Sequence, residues 1–152
     1  MAKEPSGLST EDNRRLDLQI FFPGQHILTD VVISHPLCPS NIVAASKEHS
    51  VVAQQAEQRK RAKYEQIAQQ QHARFLPFSL ETTGGMGLDV IELIDHISLA
   101  CRDHLELENH LYISRGVHAS VAIAVQKGNA LVILGGYSRA VMRGGYGPVA
   151  AA

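Results

Sequence analysis

Cysteine, basic charge and long apolar runs are all scarce in this chain. The two cysteines, Cys38 and Cys101, form no CxxC pair, which excludes a disulfide framework and a zinc module and fits a reducing compartment. The formal net charge is −1, whereas nucleic-acid binders usually carry a basic excess. Contact with nucleic acid would therefore depend on local charge.

The apolar stretches are short as well. The polar N-terminus has no signal-peptide core, and the most apolar stretch, Val117 to Leu134, is interrupted at residues 126–129. It falls short of the ~20 apolar residues that span a bilayer, so we expect a soluble protein.

The remaining composition is that of one globular domain. The chain has 152 residues, of which 45% are hydrophobic and 19% charged, enough for a real core and typical of folded proteins. We expect a polar segment at residues 1–13, a folded domain at residues 14–134 and a Gly-rich disordered tail at residues 135–152.

Strand signals dominate the first part of the domain. Leu16 to Phe22 and His26 to Ser34 flank Pro23-Gly24, which predicts an antiparallel hairpin. Phe75 to Thr82 reads as a third strand, and Pro77 favours an edge or a bulge there.

Helix signals fill the rest. Residues 42–71 contain no Gly or Pro and predict one long helix. Residues 88–104 predict an amphipathic helix, and residues 111–134 predict one helix or two, with Gly128 as a weak point. A helix between the second and third strands implies a crossover if those strands are parallel. The fold class is therefore α/β, a small mixed sheet flanked by helices, with additional C-terminal helices.

Each strand of the predicted hairpin carries one carboxylate. Asp17 and Asp30 lie at the strand ends away from the turn, so a tight hairpin would bring them close. Two close carboxylates repel each other, and Mg²⁺ prefers one or two carboxylates together with waters and phosphate oxygens. The pair predicts a divalent metal site, although an aspartate at a strand end is often only turn chemistry.

The long helix adds cations. At ~100° per residue, Lys63 lies in one stripe with Val52 and Ala56, and Lys60 lies at the edge of that stripe. A lysine stem can follow apolar surface while its ammonium reaches a polar site. Two carboxylates, a metal and an ammonium suit phosphodiester hydrolysis. The alternative is a solvated lysine on an exposed helix face.

The order of these motifs resembles a known family. The string Arg15-Leu16-Asp17-Leu18 is followed by Asp30-Val31 and, later, by Ala56 to Tyr64. This is similar to the restriction-like endonuclease domain of site-specific non-long-terminal-repeat retrotransposons, a branch of the PD-(D/E)XK superfamily. The family pattern is Arg/Lys-Pro-Asp-Leu, about a dozen residues, Asp-Val-x-Val and then Ala-x3-Lys-x2-Lys-Tyr. The resemblance covers roughly residues 4–134.

The resemblance implies a metal-dependent DNA endonuclease that nicks target DNA for a reverse transcriptase, with Mg²⁺ or Mn²⁺ as cofactor. Asp17 and Asp30 match the acidic metal ligands. Val32 stands where the superfamily has a lysine, so the catalytic role moves to Lys60. Helix geometry favours Lys63, but motif order favours Lys60. We rank Lys60 first and Lys63 second, and the choice between them stays open.

Four further residues are candidate accessories: Tyr64, Glu81, Arg15 and Glu4. Tyr64 packs its ring against the sheet edge, with its hydroxyl near the site at best. Glu81 ends the third strand beside a Gly-rich loop, where it adds a metal ligand, orients water or only caps the loop.

The resemblance also implies partners. These are DNA, and RNA through upstream polymerase and zinc-knuckle regions that do not occur in this sequence. No membrane partner is expected, and the location is intracellular, or nuclear for a eukaryotic retroelement. The alternative function is a catalytically inactive nuclease-fold module for nucleic-acid binding or self-association. The apolar face of residues 111–134 favours a homodimer.

Overall fold

The chain forms a mixed α/β fold, as the sequence predicts. The computed structural model describes residues 2–3, 16–105 and 110–142. The strands are β1 (Ala2–Lys3), β2 (Leu18–Phe22), β3 (Gln25–Thr29), β4 (Val31–Ser34), β5 (Arg74–Phe75) and β6 (Phe78–Glu81). The helices are α1 (Ile42–Ala45), α2 (Val51–Gln70), α3 (Leu88–Leu105) and α4 (His110–Met142). The expectations for residues 4–13 and 143–152 lie outside the described residues.

The predicted hairpin is present. β2 and β3 pair antiparallel from Phe22–Gln25 at the turn to Leu18–Thr29 at the open end. Gly24 has a φ of 74°, a value that glycine adopts without steric cost. β1 extends the sheet beside β2, and β5 joins β3 in parallel, giving the order β1-β2-β3-β5. α2 forms the crossover between the hairpin and β5.

Two strands that the sequence predicts to be continuous are each interrupted, and the two interruptions lie side by side. Asp30 separates β3 from β4, and Leu76-Pro77 separates β5 from β6. Proline has no N–H to donate, but its neighbours keep the ladder in register. The Leu76 N–H donates to Leu28 O and the Phe78 N–H to Asp30 O, both at 3.0 Å. Asp30 therefore lies outside both β3 and β4, while β4 still pairs with β6.

The two faces of the sheet pack against different helices, because side chains alternate along a strand. One face meets α2 in a cluster of Leu16, Leu28, Tyr64, Ala68, Ala73 and Phe75. The other face meets α3 in a cluster of Ile27, Leu76 and Leu93, with Ile20, Phe22, Phe78 and Ile97 packed against it. We call these the α2 face and the α3 face.

The single long helix predicted over residues 42–71 is wrong in its first part. α1 ends at Ala45 and α2 begins at Val51, with a polar turn between them. Ser50 at this turn has a φ of 58°, a left-handed conformation that is uncommon for residues other than glycine. Neither Gly nor Pro marks the break in the sequence.

The C-terminal helix is longer than predicted. α4 continues through Gly128, where a weak point was expected, and through Gly135, where a disordered tail was expected to begin. Its first half packs against α3 and β6, through Val117, Val121 and Val125. By length and composition alone, residues 111–139 would suffice to cross a membrane, and 6% of their most apolar window is buried. Residues 126–129 interrupt the apolar run in the sequence but not the helix itself.

Candidate active site

Asp30 occupies the gap between β3 and β4. It is only 6% exposed, and its carboxylate forms a salt bridge with the ammonium of Lys60 on α2. The side chain therefore lies on the α2 face of the sheet. A buried carboxylate is costly unless it is paired, so Lys60 offsets the burial of Asp30.

Asp17 reaches the same place from the start of β2. Its Oδ2 accepts the main-chain N–H of Val31 at 2.7 Å, so its carboxylate lies against the peptide that follows Asp30. The last paired residues of the hairpin are Leu18 and Thr29, which leaves Asp17 and Asp30 as the next positions along the two strands. The fold thus brings the two aspartates to the open end of the hairpin. Their chemical role stays a prediction.

The two lysines of α2 lie differently. Lys60 is half-buried against Asp30, with its Nζ 5.9 Å from the centroid of the Tyr64 ring. Lys63 is exposed, and its Nζ lies 4.7 Å from the same centroid, a distance typical of a cation–π contact. The helix-geometry preference for Lys63 over Lys60 is therefore wrong as to which lysine faces the sheet.

The preference for Lys63 was wrong because it took a different set of residues as the buried face of α2. The residues that α2 buries are Val52, Ala53, Ala56, Glu57, Tyr64 and Ala68. At ~100° per residue, Lys60 lies close to the middle of this set. Tyr64 is buried in the α2-face cluster, with its ring centroid 5.5 Å from that of Phe75 on β5, an edge strand of the sheet as predicted.

Glu57 is a buried acid that the sequence pattern did not single out. It precedes Lys60 by one turn, but its carboxylate reaches the start of α3. There it accepts the N–H of Leu88 at 3.1 Å and that of Asp89 at 2.9 Å. Burial, and next the negative charge of Asp89, raise the pKa of Glu57 from 4.5 to about 7, although the amide donors act in the opposite direction.

An ion pair between α2 and α3 lies next to Glu57. The Arg61 guanidinium holds both carboxylate oxygens of Asp89, with Nε 2.9 Å from Oδ2. These hydrogen bonds raise the pKa of Arg61 above its ordinary value. A Cβ on Gly87 would lie 1.9 Å from Glu57 Oε1, so the approach of the Glu57 carboxylate to α3 requires glycine there.

Glu81 serves α2 and not the aspartates. Its Oε1 accepts the N–H of Val52 at 3.1 Å and that of Ala53 at 3.2 Å, and so caps the first turn of α2. It pairs with Ser34, three positions along the ladder from the pair that follows Asp30, or about 10 Å away at strand spacing. Of the predicted alternatives, capping fits its contacts, although the capped element is a helix and not only the loop.

The metal-binding capacity of the site is modest. Among the described residues, no group of three or more His, Cys, Asp or Glu side chains is arranged to hold a metal ion. Mg²⁺ does not need such a group, because one or two carboxylates suffice when waters and phosphate oxygens complete the shell. Asp17 and Asp30 supply two carboxylates, and their role as metal ligands stays a prediction. Arg15 and Glu4 lie outside the described residues.

The chain matches no protein-family model, no curated protein and no solved structure. The resemblance to retrotransposon endonucleases therefore rests on the motifs quoted above and stays a prediction.

Proposed function

We propose that this protein is a metal-dependent DNA endonuclease domain of the restriction-endonuclease-like type, associated with a retrotransposon reverse transcriptase. The observation that carries the proposal is the salt bridge of Asp30 with Lys60 beside the hydrogen bond of Asp17 to Val31. These three charged groups come from distant parts of the chain and are the ones the family pattern requires. An antiparallel hairpin, a crossover helix and a parallel strand are compatible with that fold.

The proposed chemistry assigns a role to each group. Asp17 and Asp30 would hold Mg²⁺ or Mn²⁺, and the ion would supply an activated water and offset charge on the phosphate. The Lys60 ammonium stabilises the negative charge that develops on the phosphate oxygens. It must leave Asp30 to do so, and the Tyr64 ring beneath it provides a second favourable contact for the cation.

Partners and location follow from the same proposal. The substrate is target DNA, and RNA would be held by the upstream regions of a longer retroelement protein. The protein would act inside the cell, and in the nucleus of a eukaryotic host.

Nicking of supercoiled plasmid in Mg²⁺ or Mn²⁺ tests the proposal. Asp30→Asn keeps the size of the side chain but removes the charge, and we expect nicking to fall at least about 100-fold. Asp103→Asn is the matched control, because Asp103 is exposed on α3 and pairs with Arg102. Its rate should equal that of the wild type.

The same assay decides between the lysines. Lys60→Met should slow nicking at least about 10-fold, and Lys63→Met should change it less. Equal cleavage in the presence of EDTA, or full activity of Asp30→Asn, would contradict the metal mechanism.

A second function, self-association, is favoured by the surface of α4. Four consecutive apolar residues are between 60% and 72% exposed, namely Leu131, Val132, Ile133 and Leu134. Beside them, a groove of about 840 Å³ separates α4 from β4 and β6. Exposed apolar surface of this extent usually marks an interaction site.

This second candidate predicts a homodimer of a catalytically inactive module. Sedimentation velocity should show a concentration-dependent dimer that Val132→Glu dissociates. Tyr112→Glu, at the exposed other end of α4, is the control and should leave the dimer intact. A wild-type monomer at all concentrations would rule this candidate out.

A further inference from the structure

Two stacked rings lie on the hairpin near its turn. Phe21 of β2 and His26 of β3 are directly opposite in the ladder, with ring centroids 4.6 Å apart and planes within 10° of parallel. The side-chain amide of Gln19 donates to His26 Nε2 at 2.6 Å, which holds the imidazole ring in place. Even so, Phe21 is 54% exposed. An ordered aromatic pair is therefore open to solvent.

These rings share a face with the candidate active site. Ile20 and Phe22, the neighbours of Phe21, pack against the α3 face, so alternation turns Phe21 and His26 to the α2 face. This is also the face of Asp30, which contacts α2. α2 packs over β4, β5 and β6 and leaves the turn end of the hairpin uncovered. Along the strand, His26 and Asp30 are about 13 Å apart.

Positive charge borders the same region. Lys60 contacts Asp30, and Arg61 on one side of it is held by Asp89 of α3. By helix geometry, Arg59 and Lys63 lie on the opposite side of Lys60, away from α3, and both are exposed. Cations on the exposed side of a helix can contact a phosphate backbone.

We propose that Phe21 and His26 form a stacking platform for an unpaired base of a DNA strand whose phosphate would be held through the metal ion at Asp17 and Asp30. The inference rests on the proposed nuclease function and adds the form of its substrate. A base can offer its flat face to a protein ring only where it is not covered by neighbouring bases in a duplex. The site therefore selects single-stranded or locally opened DNA over a closed duplex, and Phe21 is a determinant of that specificity.

The lack of tryptophan in this chain permits a direct test. In Phe21→Trp, the indole is the only tryptophan and reports on stacking at this position. Titration with oligo-dT of about twelve nucleotides, with Ca²⁺ in place of Mg²⁺, should quench its fluorescence, because binding does not require cleavage. A duplex of the same length should quench it much less.

Affinity provides the second measurement. Phe21→Ala should weaken binding of labelled oligo-dT about 10-fold, as expected for the loss of one stacked base, with little effect on the duplex. Phe21→Leu keeps apolar bulk without a ring and should behave in the same way. Tyr112→Ala removes an aromatic residue that is 82% exposed on α4 and should bind like the wild type.

The outcomes separate this inference from the nuclease proposal. Unchanged oligo-dT affinity in both Phe21→Ala and Phe21→Leu, with circular dichroism showing folded protein, would overturn the platform even if plasmid nicking depends on Asp30. Preference for the closed duplex by wild-type protein would overturn it as well. Ring-dependent binding without nicking would support the platform while the nuclease proposal fails.

Discussion

The acidic side chains around α2 form two groups, which differ in the hydrogen-bond and ion-pair partners of their carboxylate oxygens. At the α1 and α3 end, Glu57 and Glu81 each accept two main-chain N–H groups from the start of a helix. At the hairpin end, Asp17 accepts one N–H and Asp30 contacts a single lysine. A carboxylate offers about four acceptor positions. Those of the first group are largely used to hold helices, whereas the second group keeps capacity for a cation.

Burial alone does not identify a functional acid. Glu57, Glu81 and Asp30 are all at most 6% exposed. What distinguishes Asp30 is that its partner is a mobile ammonium and not a fixed backbone amide, so a cation can take the place of the ammonium without breaking secondary structure. The account therefore predicts opposite responses of the two groups to substitution.

The largest loss of stability is expected from Gly87→Ala. The new Cβ would meet Glu57 Oε1 at 1.9 Å and expel the carboxylate, leaving the N–H groups of Leu88 and Asp89 unpaired. We expect the free energy of unfolding to fall by about 3 kcal/mol, measured by urea denaturation. Gly128→Ala is the control, because a Cβ there meets nothing within 4 Å, and alanine in a helix should be neutral or stabilising. Equal effects of the two variants would contradict the assigned role of Glu57.

A smaller loss is expected from Glu81→Ala. The N–H groups of Val52 and Ala53 would lose their buried acceptor, at a cost of about 2 kcal/mol. Asp17→Asn, which changes an exposed acid, should shift the free energy of unfolding by less than about 0.5 kcal/mol. The order should reverse for nicking, which Asp17→Asn abolishes and Glu81→Ala preserves below its melting temperature. Loss of nicking in folded Glu81→Ala would place that acid in the active site after all.

A pH-dependent contribution from Glu57 is smaller than the losses expected from Gly87→Ala and Glu81→Ala. Its pKa is raised from 4.5 to about 7 on folding, so between these values the folded chain binds more protons than the unfolded chain. The stability that this group contributes is present below pH 4.5 and is lost as pH rises through about 7, amounting to roughly 1 to 2 kcal/mol.

Glu57→Gln isolates this contribution. Glutamine keeps an acceptor oxygen but does not titrate, so the variant should gain stability relative to the wild type as the pH is raised from about 5 to about 8. Urea denaturation across this range measures the difference. A difference that does not vary with pH would show that the pKa of Glu57 is not raised.

Local features of the fold could be predicted from the sequence. Pro23-Gly24 sets the register of the hairpin, and that register brings Asp17 and Asp30 to its open end. The hairpin could be predicted because it depends on short-range geometry. The order of the motifs ranked Lys60 above Lys63, and Lys60 is the lysine that contacts Asp30; its catalytic role stays a prediction.

Contacts between distant segments could not be predicted in the same way. The bonds from Glu57 to the start of α3 and from Glu81 to the start of α2 span about thirty positions, and no spacing rule links their partners. The break before α2 has no Gly or Pro to mark it. In α4, each glycine costs only about 1 kcal/mol in a helix, too little to end a helix of 33 residues.

The location of bound Mn²⁺ in crystals, seen by anomalous diffraction, tests the central claim most directly. The account predicts a peak at roughly 2.1 Å from the carboxylate oxygens of Asp17 and Asp30, with the Lys60 ammonium displaced from Asp30. Saturating Mn²⁺ that leaves the Lys60–Asp30 salt bridge intact, with no peak between the two aspartates, would contradict it.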